Sequence, residues 1–139
     1  MGLNVYTAIR KSANVKARDE YIAEYWPKTV SGELTMKEYR ASFPKPAETD
    51  RNIDLDEFGV RNFWGLHKYL IETMGFEDKD LIALTADQVA ILLEACETYK
   101  IPEIDNYSYF FKCADVATMC RNALNDMAED EVMEFLFDH

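Results

Sequence analysis

Asp50, Asn52, Asp54 and Asp56 alternate along the chain as oxygen ligands do in a calcium-binding loop. The pattern breaks where the geometry is strictest. The sixth position needs Gly for a sharp turn and is Leu55, and the twelfth needs a bidentate Glu and is Arg61. Zinc fares no better. Cys113 and Cys120 lie seven residues apart on one predicted helix, there is no Cys-x-x-Cys, and the chain has only two histidines. No metal site and no cofactor is expected.

A nucleophile–base pair would have to use His67, because His139 is terminal. Cys96 is the only thiol to pair with it, and both fall on the apolar faces of predicted helices, where a packed histidine and an inert thiol are the simpler reading. The carboxylate pairs Asp54/Asp56 and Asp78/Asp80 have no apolar neighbours that would split their acidities. The five glycines are isolated, so no glycine-rich loop cradles a phosphate. No catalytic residue is expected. A small enzyme using His67 with a carboxylate or Cys96 stays as the alternative.

Carboxylates dominate what remains. Asp plus Glu number 26 against 15 Lys plus Arg, a net charge of −11. That excludes direct binding to nucleic acid, whose phosphates are met by Lys and Arg, and disfavours an anionic membrane surface. The acids gather at Glu48–Glu57, Glu77–Asp80 and Asp126–Asp138. One reading is ordinary surface solubility. The sharper one is a display of carboxylates for a protein with a basic surface, such as a nucleic-acid-binding groove. On that reading Glu48, Asp50, Asp54, Asp56, Glu57, Glu77, Asp78 and Asp80, with Tyr69 beside them, form one partner-binding face on two loops flanking a helix. Glu129, Asp130, Glu131 and Glu134 make the alternative face. Trp26, Tyr39, Tyr69, Tyr107 and Tyr109 are further interface anchors by residue type.

These side chains need a scaffold. At 139 residues and 48% hydrophobic, the chain suits one domain, residues 1–139, with a real core. Leu3, Val5, Thr7 and Ile9 alternate with polar or small neighbours, so residues 2–10 read as a strand. Ala17–Trp26 reads as a helix ended by Pro27. Thr35–Glu38 and Thr85–Gln88 match capping boxes, in which the Thr hydroxyl and the acidic or amide side chain each satisfy a free backbone N–H. The first starts a helix running to about Phe43, closed by Pro44-Lys45-Pro46. From Phe58, spacings of three and four through Val60, Phe63, Trp64, His67, Leu70, Ile71 and Met74 predict a helix capped at Gly75. The next helix turns Val89, Leu92, Leu93 and Cys96 inward and reaches Pro102. A fourth starts near Asp105 or Asn106, with a stripe from Phe110 to Met127. Val132–Phe137 alternates again and reads as a strand.

The predicted fold is α+β: N- and C-terminal strands in a small antiparallel sheet against about four helices. A third strand near Val30–Leu34, or a second copy of the chain as a homodimer, would complete the sheet. Phe63, Trp64, Leu70, Ile71, Leu92, Leu93, Phe110 and Leu124 are the expected core. No apolar run approaches a membrane span and no signal peptide is visible, and the odd cysteine count argues for reduced thiols, so a cytoplasmic location is expected.

Met1-Gly2-Leu3-Asn4-Val5-Tyr6 resembles the Met-Gly-Leu-Asp-Met-Tyr opening of small uncharacterised phage and prophage proteins. Leu66-His67-Lys68-Tyr69 resembles the Ile-His-Lys-Trp stretch of their helix. Thr85–Cys96 is similar to their next helix, with its Ser-x-x-Gln, Leu-Leu and Cys. Glu134-Phe135-Leu136-Phe137 falls where those proteins end in an aromatic strand. The chain departs at Asn4 and Val5 and lacks the final Ser-Ser-Trp. The resemblance implies a phage or mobile-element origin without an established chemistry, and makes His67 and Lys68 an alternative site. With the charge and the small size, it leads to one expectation: an inhibitor of a host or defence protein in the host cytoplasm, of anti-CRISPR or anti-restriction type, imitating nucleic acid. A structural or dimerising accessory protein is the further alternative.

Overall fold

Alternating apolar side chains place the first and last strands side by side. The computed structural model describes residues 2–105 and 108–139. Strand β1 (Asn4–Lys11) pairs antiparallel with β5 (Glu131–Asp138) over its whole length, Asn4 opposite Asp138 and Lys11 opposite Glu131. Two-residue strands β2 (Arg51–Asn52) and β3 (Val60–Arg61) join β1 on its other side, and β4 (Leu81–Leu84) joins β5. The order is β2-β1-β5-β4, with β3 also on β1. The fold is α+β, with the N- and C-terminal strands adjacent in an antiparallel sheet. The third long partner is Leu81–Leu84 rather than a segment near Val30–Leu34, which is a helix end and turn.

Directly opposed residues share a face. Val5, Thr7 and Ile9 oppose Phe137, Phe135 and Met133, and all six are buried. Against this face pack α3 (Trp64–Lys68, continued by a π-helical turn Tyr69–Thr73), α4 (Ala86–Glu97) and α5 (Tyr109–Asp126), through Leu66, Leu70, Leu92, Cys96, Val116 and Met119. The remaining helices, α1 (Ser12–Val30) and α2 (Met36–Ala41), form an arm at the opposite face. Val15 and Tyr39 are their buried residues. Tyr21, Tyr25, Tyr39 and Phe43 hold the arm together through ring contacts of 4.6–5.7 Å.

Both capping boxes are present: Thr35 with Glu38 and Thr85 with Gln88 exchange their paired hydrogen bonds. Gly75 has φ +82°, as a left-handed cap requires. Other boundaries differ from expectation. Helix α1 starts at Ser12 and carries Pro27 inside its last turn. There the proline costs the Ala23 carbonyl its intrahelical donor, at an exposed position. Residues 58–63 are not helical. Gly59 (φ +64°) brings the chain so close to β1 that a Cβ would lie 2.1 Å from the Val5 carbonyl oxygen, and Val60 pairs with Val5. Helix α4 stops at Glu97, before Tyr99 at φ +56°, so Pro102 lies well beyond it. Asp105 does not open α5. It caps α3, accepting the Trp64 and Gly65 N–H groups at 3.0 Å each. Asn106 as a helix start lies outside the described residues.

Of the expected core, Phe63, Leu70 and Leu92 are fully buried, and Ile71, Leu93 and Leu124 pack against the core from its margin. Trp64 and Phe110 are exposed. The α5 stripe begins at Tyr109, one residue earlier than its spacing suggests, and this turns Phe110 to solvent.

Candidate functional site

The second face of the sheet is covered only in part, by α1 of the arm. Tyr6, Leu136 and Leu81 make one row across β1, β5 and β4. The next row sets Glu134 between two small residues, Ala8 and Ala83. That gap admits long side chains. Arg10 Nε donates to Glu134 Oε1 at 2.8 Å, and Arg18 from α1 donates to both carboxylate oxygens, at 2.9 Å to Oε1 and 2.5 Å to Oε2. Arg10 also reaches Asp50 at 3.3 Å. Glu134 is only 3% exposed, so its carboxylate oxygens are satisfied by the two arginines rather than by solvent.

Beside this cluster the open face forms two depressions that share Leu81. One, of about 230 Å³, runs over Tyr6, Ala8 and Leu136 to Asn52 and Asp54. The other, of about 370 Å³, lies between Leu81 and the Asp19, Ile22 and Ala23 side of α1, with Lys79 and Asp80 at its mouth.

The nine residues of the expected acidic face divide between these surroundings. Glu48 and Glu57 are exposed, with no partner among the described residues. Asp50 is internal: it accepts the Lys11 and Ala47 N–H groups at 3.2 Å each as well as pairing with Arg10. Asp54 fills a gap in the sheet edge, accepting the Thr7 N–H at 2.7 Å and its hydroxyl at 3.1 Å, while burial raises its carboxyl above the usual range. Asp56 caps its own turn at the Phe58 N–H, 2.8 Å. Glu77 pairs with Lys79 at 2.9 Å, Asp78 approaches His67 at 3.7 Å, and Asp80 reaches His139 at 3.2 Å. Tyr69 is 8% exposed and faces the core, so it is not a surface anchor. The two loops emerge at opposite edges of the sheet, beside β1 and before β4. They bracket the open face; they do not flank a helix as one patch.

The alternative C-terminal face also changes. Glu131 and Glu134 are buried ion-pair partners, Glu131 of Arg51 at 2.9 Å, and Asp130 pairs with Lys11. Tyr39 and Tyr109 are buried, Trp26 is 44% exposed, and Tyr107 lies outside the described residues.

The second alternative pairs a largely buried His67, its side chain 16% exposed, with an exposed Lys68. His67 Nε2 lies 3.1 Å from the Lys79 carbonyl oxygen and its ring rests on Phe137, while Lys68 pairs with Glu72 at 3.7 Å. Cys96, Cys113 and Cys120 are buried free thiols. Burial pushes all three up, Cys120 to about 12, which suppresses the reactive thiolate. Among the described residues no group of three or more His, Cys, Asp or Glu could hold a metal. No helix among them is long and apolar enough to cross a membrane.

Sequence reasoning missed how charge divides between the arm and the rest. Residues 12–46 hold six Lys and Arg against five acids. Residues 47–139 hold seven against 21, a net −14. The division was countable in the sequence, but it acquires meaning only once residues 12–46 are known to form a separate arm. The protein-family models contain no match to this chain, and no curated protein or solved structure is significantly similar to it.

Proposed function

We propose that this chain is a binding protein that docks its acidic part onto a basic protein surface. The observation that supports this is the −14 charge confined to residues 47–139. Several of its carboxylates are left without cations. Among the described residues Glu48, Glu57, Asp115 and Glu129 have no ion-pair partner, and Asp115 is pushed up by burial and by the nearby Asp56 charge. Leu55, Phe58 and Phe111 are exposed alongside these acids, offering apolar contact once a partner has been steered in. Within this class, the resemblance to phage and prophage proteins favours an inhibitor of a host or defence protein that binds nucleic acid.

The test is affinity capture from host lysate at low and high salt, with the wild type and with E48Q/D56N/E57Q/D115N. Asp50 and Asp54 are kept, because they hold β1. A partner with a basic surface, captured at low salt, released at high salt and lost with the variant, is the expected result. A partner captured equally by both proteins at both salts would sink the reading.

A further inference from the structure

The open face of the sheet is a groove with charge at both ends and carbon between them. Asp54 marks the end beside β1, and Asp19 with Asp80 marks the end beside β4. Tyr6, Leu136 and Leu81 lie between, in one register row. The row is solvent-accessible, Leu136 at 36%.

The charges left to a guest are negative. Arg10 and Arg18 pair with Glu134, and Arg18 also pairs with Asp19 at 3.0 Å, while the lining as a whole sets Asp19, Asp54, Asp80 and Glu134 against Arg10 and Lys79. Asp54 uses only Oδ1 on Thr7, and its Oδ2 has no partner among the described residues. Asp19 and Asp80 have side chains 53% and 65% exposed, so each can still receive a cation.

Length selects the guest. From the β2 side to β4 the sheet spans three strand spacings, about 14 Å, which about four or five extended residues cover. We infer that the groove between α1 and the open sheet face binds a short extended peptide segment with a Lys or Arg at each end and apolar side chains between them. The terminal cations meet Asp54 at one end and Asp19 and Asp80 at the other. The apolar middle covers Leu136 and Leu81. The inference deepens the proposed function by naming a segment of the basic partner, and it rests on that reading.

The probe is the peptide Lys-Val-Leu-Val-Lys, titrated by calorimetry, beside Ser-Val-Leu-Val-Ser and pentalysine. The expected result is binding of the first alone, weakened at least about tenfold by Leu136→Arg, which places bulk and positive charge on the floor. D19N/D80N changes only exposed side chains and should weaken binding several-fold with an unchanged circular dichroism spectrum, which covers the case in which Leu136→Arg fails to fold. Absence of binding by Lys-Val-Leu-Val-Lys overturns the groove. So does tight binding of pentalysine that Leu136→Arg leaves unchanged, but that result leaves the acidic-surface reading standing. A partner captured equally by wild type and variant at both salts sinks the general reading independently.

Discussion

Arg18 on helix α1 and Glu134 on the central strand β5, 116 residues apart, are joined by two hydrogen bonds, the shorter 2.5 Å. This pair holds an arm that otherwise buries little, since Val15 is the buried residue of α1. Glu134→Ala should destabilise the protein by about 3 kcal/mol, the low end for breaking a buried pair, because both arginines keep partial access to water. Arg18→Met should act more locally. Hydrogen exchange should show the α1 amides losing protection while those of β1 keep theirs. Equal loss in both elements would mean that the arm and the sheet open together.

Leu92 and Phe110 separate the true core from the expected one. Leu92 is fully buried, and Leu92→Ala should cost about 2–5 kcal/mol. Phe110 is 61% exposed, and Phe110→Ala should fall within about 0.5 kcal/mol of wild type. Urea denaturation midpoints of the two variants decide it, and a shift for Phe110→Ala as large as that for Leu92→Ala would contradict the packing of α5.

At the start of α3 the backbone is crowded. A Cβ on Gly65 would lie 2.1 Å from the Pro102 carbonyl oxygen, so Gly65→Ala should cost more than about 1 kcal/mol despite alanine's helix preference. Asp105→Ala removes both acceptors at that helix start and should cost about 1 kcal/mol. Thermal unfolding of the two single variants checks both, and a stabilised Gly65→Ala protein would show that the loop at Pro102 can move away.

Glu131 gives the fold a dependence on acid. Its carboxyl is lowered from 4.5 to about 2, first by the Arg51 guanidinium and then by the Ala128 N–H. The folded value lies below the unfolded one, so this stabilisation is complete above about pH 4.5 and is lost as the pH falls toward 2. The stability difference between wild type and Glu131→Gln should therefore be constant near neutrality and close through that window. A difference that stays the same down to pH 2 would remove the assignment.

What was legible in the sequence was local. Thr35 and Glu38, Thr85 and Gln88, and Gly75 act on backbone within a few residues, so their spacing announces them. The alternation in β1 and β5 was legible for the same reason. Asp105 capping a helix 40 residues earlier carries no such signature, and nor does Asp54 standing in at a sheet edge. The acidic set was visible as composition, but the internal roles of Asp50, Glu131 and Glu134 depend on arginines 40, 80 and 116–124 residues away. Phe58 and Val60 fit a helical period by coincidence, and the turn at Gly59 overrides it.

The pairing of β1 with β5 also governs how the chain comes to be folded. Residues 4–11 wait for residues 131–138 for their full-length pairing, and among the described residues β4 pairs with β5 alone, so the sheet cannot assemble from one end. Closing so long a loop before any central pairing is gained slows folding relative to a helical chain of this size. On the ribosome, the apolar side of β1 emerges more than a hundred residues ahead of β5, its one full-length strand partner, with only the two-residue strands β2 and β3 arriving sooner. Helices α4 and α5 can meet before that partner arrives, so they are the natural first structure, and until β5 is released the nascent chain exposes Leu3, Val5 and Ile9 to chaperones and proteases.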